Sequence, residues 1–206
     1  MIISALHKFI FVAIPKTGTH SVRRALRAHM GPQDLEQVGL FVQSKFPIPE
    51  LAEIGHGHLS LAQVRPYLRP EEWDSLFKFA FVRNPFDRFV SYCAFMTRDR
   101  DIFERDPRQV MRHFLAKPPT GHILFQPQHG FVTDAAGKLL TDYVGRVEEM
   151  QRSYDEIAQR IGIPTATLDK VNASKRRDYR DYYDQPLIDG VAKLYERDLL
   201  LFGYEF

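Results

Sequence analysis

The chain has 206 residues, most simply one domain over 1–206 and long enough to bury a substantial core. Its 28 Lys and Arg against 26 Asp and Glu leave a net charge of +2, which excludes the polycationic surface of a nucleic-acid or anionic-membrane binder. The 44% hydrophobic and 26% charged fractions exclude a disordered or fibrous chain; the single cysteine, Cys93, excludes an intrachain disulfide and a Cys-cluster zinc site, so a reducing, cytoplasmic setting is expected.

Residues 1–6 lack the basic and long apolar regions of a signal peptide, and no stretch approaches the roughly 20 apolar residues of a membrane span. The first strong element is 9–14 (FIFVAI), an apolar run without alternation that predicts a strand buried on both faces, as in a parallel sheet. Residues 15–19 break it, and a helix is predicted over about 21–30, stopped by Gly31 and Pro32. Ser60 is placed to cap a short helix over 61–67, and another is expected to open at Pro70-Glu71-Glu72, where acidic residues suit the helix dipole. The strand–turn–helix unit then recurs. Residues 77–82 (FKFAFV) predict a second strand, Asn84 an N-cap, and Pro85 the first position of a helix through Phe86, Phe89, Val90 and Phe95.

Residues 103–145 carry enough Pro and Gly to predict only a short helix and loops. Val147, Met150, Tyr154, Ile157, Ala158 and Ile161 share one helical face, closed by Gly162 and Pro164. Leu187, Val191, Leu194, Tyr195, Asp198 and Leu199 predict one final helix before Gly203. Strands alternating with helices predict an α/β core around a parallel sheet, whose ligands bind beyond the carboxyl ends of the strands.

Both polar turns fall at such ends. Pro15-Lys16-Thr17-Gly18-Thr19-His20-Ser21 joins a buried strand to a helix N-terminus, whose N–H groups and dipole favour an anion. Gly18 permits close approach of backbone to ligand, three hydroxyl residues add donors, and Lys16 adds charge. The pattern is that of a phosphate cradle, although it lacks the Walker A order G-x-x-x-x-G-K-[ST]. An ordinary capped turn with a solvated lysine is the plainer reading. In the second turn Arg83 ends the strand, while Asn84, Arg88 and Ser91 share a helix face. Arginine and hydroxyl there suit a second phosphate; the plainer reading is an Asp87–arginine pair on a surface helix.

FVAIPKTGTHS resembles the 5′-phosphosulfate loop of the PAPS-dependent sulfotransferases, which move a sulfuryl group from 3′-phosphoadenosine 5′-phosphosulfate to an acceptor, and FAFVRNPFDRFVSY resembles their 3′-phosphate motif. Weaker echoes lie at 143–148, at 171–175 and around Tyr195, Asp198 and 202–204. The similarity is closest to the carbohydrate branch, including the uronosyl 2-O-sulfotransferases. It implies a P-loop nucleotide-kinase-like three-layer sandwich with a central parallel sheet. It further implies that Lys16 stabilises the departing phosphate; that Thr17, Gly18, Thr19 and Ser21 cradle the 5′-phosphate; and that Arg83 and Ser91 bind the 3′-phosphate. Ser174, Lys175, Arg176 and Arg177 match a family segment that closes over the nucleotide, the plainer reading being a solvated basic loop.

The acceptor hydroxyl needs a base effective near neutral pH, which favours histidine. Gly55-His56-Gly57-His58 resembles the HGH stretch of the uronosyl enzymes, which implies His58 as base with His56 supporting it. The two rings are expected to diverge, so that only one faces the donor sulfur. His20, among positive charges, is expected to cap the helix or contact phosphate. A structural turn, or a metal site recruiting His113, His122 or His129, is the rival reading of His-Gly-His; no H-E-x-x-H spacing is present.

The expected reaction is in-line transfer, releasing adenosine 3′,5′-bisphosphate, with no magnesium required in principle. An ATP-dependent small-molecule kinase and a non-catalytic nucleotide-binding protein are the rivals. Phenols, lipids and tyrosyl peptides stand beside sugars as acceptors. Arg98, Arg100, Arg105, Arg108 and Arg112 could meet an anionic glycan, but their interleaving with Asp99, Asp101, Glu104 and Asp106 favours charge pairing, and Cys93 reads as core rather than as a redox nucleophile.

Overall fold

The computed structural model describes residues 1–39, 44–168 and 177–206. In chain order these form β1 (Ile2–Ser4), β2 (Phe9–Val12), α1 (Thr19–Arg27), β3 (Leu35–Glu36), α2 (Pro49–Ala52), α3 (Leu61–Val64), α4 (Pro70–Ser75), β4 (Phe77–Val82) and α5 (Pro85–Met96). There follow α6 (Ile102–Arg105), α7 (Pro107–Ala116), α8 (His129–Val132), β5 (Tyr143–Arg146), α9 (Met150–Ile161), α10 (Gln185–Leu194) and α11 (Glu196–Phe202).

Two compact units divide the chain, Met1–Val82 with Gln128–Val171, and Arg83–Pro127 with Asn172–Phe206. The first holds a five-stranded sheet of order β3-β1-β2-β4-β5. β2, β4 and β5 run parallel, with Phe11 opposite Phe79 and Phe81 opposite Gly145, so their carboxyl ends share one edge. β1 pairs antiparallel with both β2 and β3, so the expected parallel sheet is a parallel core with an antiparallel flank.

On one face Phe9, Phe11, Phe79 and Phe81 pack with Val22 and Leu26 of α1 and with Tyr154, Ile157 and Ala158 of α9. Ile10, Val12, Ala80 and Val82, which alternate to the other face, are buried as well. Covering both faces is what makes β2 and β4 continuous apolar runs rather than alternating ones. Ser60 caps α3 as expected, through a capping box with Gln63.

The second unit packs Phe86, Phe89, Val90 and Cys93 of α5 against Val110 and Met111 of α7 and Leu187 and Val191 of α10. Cys93 is buried there as a core residue. Three expectations are corrected. The stretch predicted as loops with one short helix contains α6, α7, α8 and the sheet strand β5, whose four residues include a glycine and carry no apolar run. The single final helix is two, broken where Tyr195 leaves helical geometry (φ −116°, ψ 26°), buries its ring and donates its hydroxyl to the Phe125 carbonyl. Arg88, grouped by sequence with the phosphate-facing charges, is only 2% exposed and donates to the carbonyls of Leu124 and Gln126. It ties α5 to the 124–126 segment.

Among the other arginines, Arg98 pairs with Asp99, Arg112 with Asp184, and Arg108 donates to the Tyr182 and Tyr183 carbonyls. No helix among the described residues is long and apolar enough to cross a membrane.

Candidate active site

The turn after β2 belongs to the first unit. Lys16 takes a left-handed conformation (φ 66°), uncommon for a residue with a side chain, and Gly18 a second one (φ 70°). Thr17, fully buried between them, donates its hydroxyl to the Ile14 carbonyl at 2.9 Å. That bond fixes the turn's shape and commits the Thr17 hydroxyl inward. Thr19 and Ser21, on the first turn of α1, are buried too.

Gly18 is the N-cap of α1, with no side-chain capping bond and no acidic residue in the first turn. A helix start lacking both is suited to an external anion. Glycine is favoured at position 18 on two counts. Its φ is unfavourable for other residues, and a Cβ would stand 2.4 Å from the Met150 Cε. Met150 reaches it because α9 begins just beyond the carboxyl end of β5, at the sheet edge where β2 also ends. Partial burial first, then the charges of Arg23, Lys16 and Arg27, lower the His20 pKa.

His58 lies in the same unit. Its Nδ1 is 2.7 Å from the carbonyl of Ala13, three residues before Lys16. A carbonyl only accepts, so Nδ1 carries the proton and Nε2 keeps its lone pair. Burial lowers the His58 pKa from 6.5 to about 3, against the opposing pull of the Ala13 carbonyl. The imidazole is therefore neutral, with its proton on Nδ1 and Nε2 unprotonated.

Burial also lowers the pKa of His56. The expected divergence of the rings is corrected: residues two apart share a face even in extended backbone. The chain bends at His56 and Gly57, the His56 Nδ1 accepts from the His58 N–H at 3.3 Å, and the ring centroids stand 6.2 Å apart.

The bend is gripped from behind. Gln37, almost wholly buried, donates its amide to the carbonyls of Leu51 (2.7 Å) and His56 (3.1 Å) and accepts from the Phe46 N–H. Arg23 of α1 donates to the Gly57 carbonyl at 3.0 Å. Neither residue was singled out from the sequence. Arg23 carried a signal, as the one charged member of the Thr19, Val22, Arg23, Leu26 stripe that α1 buries.

In the second unit, Arg83 sends Nε and Nη2 to one Asp87 carboxylate oxygen, each at 2.7 Å. The Asp87–arginine pair foreseen as the plainer reading therefore forms, with Arg83 as partner. Asn84 caps α5 by accepting from the Phe86 N–H, and its amide donates to the Glu205 carbonyl and the Tyr179 hydroxyl. Ser91 is buried on the same helix. Ser174, Lys175 and Arg176 lie outside the described residues. Among the described residues, no group of three or more His, Cys, Asp or Glu side chains is placed to hold a metal ion.

No curated protein matches the chain. A model of the sulfotransferase family matches residues 1–205, across both units, and the chain belongs to that family.

Proposed function

We propose that this chain is a PAPS-dependent sulfotransferase, acting as one domain over 1–206, and that its acceptor is a carbohydrate hydroxyl. The observation that carries the reading is the His58 Nδ1–Ala13 carbonyl bond, which leaves an unprotonated Nε2 on a residue tethered to the strand end that leads into the donor loop.

In the proposed reaction the acceptor oxygen attacks sulfur, its proton passes to His58 Nε2, and the sulfur–oxygen bond to the 5′-phosphate breaks in line. Negative charge grows on the departing phosphate oxygen. Lys16 and the uncapped start of α1 supply fixed positive charge there, as in phosphoryl transfer. The cradle fits a phosphate, since two left-handed residues shape the turn and no side-chain cap competes at the helix start. Thr17 contributes through its backbone, with its hydroxyl held by Ile14; Gly18, Thr19, His20 and Ser21 complete the 5′ site.

A 3′-phosphate at Arg83 and Ser91 shares the guanidinium with Asp87. Ser174, Lys175 and Arg176 join the nucleotide site on resemblance alone, as does the carbohydrate acceptor. The cytoplasmic setting rests on the chain's having one cysteine, the composition of a protein that relies on no disulfide.

The test is an acceptor screen with labelled phosphosulfate donor across glycans, phenols and lipids, with His58→Ala as control, beside titrations of adenosine 3′,5′-bisphosphate and ATP. Transfer to a glycan that is lost in His58→Ala, with bisphosphate bound more tightly than ATP, is expected. Tighter ATP binding supports a kinase, and bisphosphate binding without transfer to any acceptor supports a nucleotide-binding module.

A further inference from the structure

The buried arginine of α1 has a task that the reaction scheme does not use. Arg23 is 5% exposed, and its Nε–H has no acceptor among the described residues. A guanidinium buried with one donor unsatisfied is costly. An apolar side chain on this stripe, beside Val22 and Leu26, would avoid the cost. What the arginine supplies is reach. Its Nη1 stands 3.5 Å from the Glu36 carboxylate of β3, and its Nη2 donates to Gly57 O, an acceptor shared with the Met1 nitrogen.

Gly57 separates the two histidines and accommodates that approach. A Cβ there would stand 2.2 Å from the Gln37 carbonyl oxygen and 2.9 Å from the arginine Nη2. The bend is thus held at two successive carbonyls, His56 by Gln37 and Gly57 by Arg23, while the His58 ring is held by Ala13. Arg23 stands five residues after Gly18, on the helix whose start forms the proposed donor cradle.

We propose that Arg23 is a positioning residue: through the Gly57 carbonyl it holds the 55–58 bend against the helix carrying the donor loop, and so sets where the His58 imidazole stands relative to the donor. The inference rests on His58 being the base. A misplacement of about 1 Å in such a group costs on the order of a hundredfold in rate, so the link to one helix matters.

The experiment is a double-mutant cycle on the full chain, with Arg23→Gln in the wild-type and His58→Ala backgrounds. In the wild-type background, kcat is expected to fall about tenfold or more, with bisphosphate Kd changed by less than about twofold. Arg23→Lys, which keeps the cation on a single donor nitrogen, is expected to fall between wild type and Arg23→Gln. In the His58→Ala background, Arg23→Gln is expected to leave the residual transfer rate within about twofold. Equal losses in both backgrounds, parallel losses of kcat and bisphosphate binding, or an unchanged kcat overturn the inference. If Arg23→Gln does not fold, Arg23→Lys carries the same cycle. Full turnover in His58→Ala overturns the base assignment and this inference together, whereas an inactive His58→Ala with a silent Arg23→Gln removes the inference alone.

Discussion

The turn after β2 and the turn after β4 start alike, each following a buried parallel strand and each opening a helix, yet they satisfy their backbones differently. At the first, Lys16 and Gly18 are left-handed, and α1 starts with neither a side-chain cap nor an acidic residue. At the second, Asn84 caps α5, Pro85 occupies the first helical position, and Asp87 supplies a carboxylate that Arg83 already holds. The helix start at the first turn has neither a side-chain cap nor a first-turn carboxylate; the second has both. A ligand at the first gains from donors arranged in advance, while one at the second competes with Asp87. On the proposed function, charge stabilisation of a leaving group would belong to the first turn, and recognition of a second phosphate to the other.

Substitutions separate the two roles. The largest effect is expected from Lys16→Ala, with turnover falling about a hundredfold or more and bisphosphate affinity changing only a few-fold, by single-turnover kinetics and calorimetry. Normal turnover would remove Lys16 from the site. Arg83→Gln should do the opposite. Bisphosphate affinity drops about tenfold or more, as for a lost charge-assisted bond, while turnover at saturating donor changes little. Asp87→Asn then sharpens the contrast, since releasing Arg83 should tighten bisphosphate binding; weaker binding would show that Asp87 orients the guanidinium rather than competing for it.

Stability reports the same difference more gently. Gly18→Ala meets both an unfavourable φ and the Met150 methyl, and should cost about 2 kcal/mol. Asn84→Ala loses a cap worth about 1 kcal/mol, together with the amide's bonds to the Glu205 carbonyl and the Tyr179 hydroxyl, and should lower the melting temperature by at least roughly 2–4 °C. An unchanged melt in either variant would remove the structural role assigned to that residue.

The smallest effect is a pH dependence. The His58 pKa is about 3 in the folded chain against an ordinary 6.5, so between those values the unfolded chain binds a proton that the native one does not. Stability from this group is complete above pH 6.5 and is lost as pH falls toward 3. His58→Asn should flatten that slope in urea melts across the window. With a neutral Nε2 persisting far into acid, the acid limb of kcat/KM should lie well below 6.5. A limb at 6.5 would point to a solvated histidine as the base.

What could be read in advance follows from where the physical information sits. The strand at 77–82, the capped start at Asn84-Pro85 and the hydroxyl-rich turn at 15–21 are local signals, set by runs and turn residues a few positions long. β1, β3 and β5 span two to four residues each and exist through their neighbours in the sheet, so no local pattern marks them. Arg88 and Arg23 look like surface charges until their acceptors, the carbonyls of Leu124, Gln126 and Gly57, are brought up from elsewhere in the chain. The His-Gly-His stretch was legible as a candidate base; the tautomer was not, because it depends on the Ala13 carbonyl 45 residues away.

The place of β2 in the sheet has a consequence for exchange with solvent. It is the middle strand of five, hydrogen-bonded to β1 on one side and β4 on the other. Its amides should be among the last in the chain to take up deuterium, opening only with the whole first unit. A few residues on, the strained turn at Lys16 and Gly18 hangs from that strand. The protection boundary should therefore fall abruptly between Val12 and Lys16, with the slowest backbone of the unit leading directly into its proposed donor cradle.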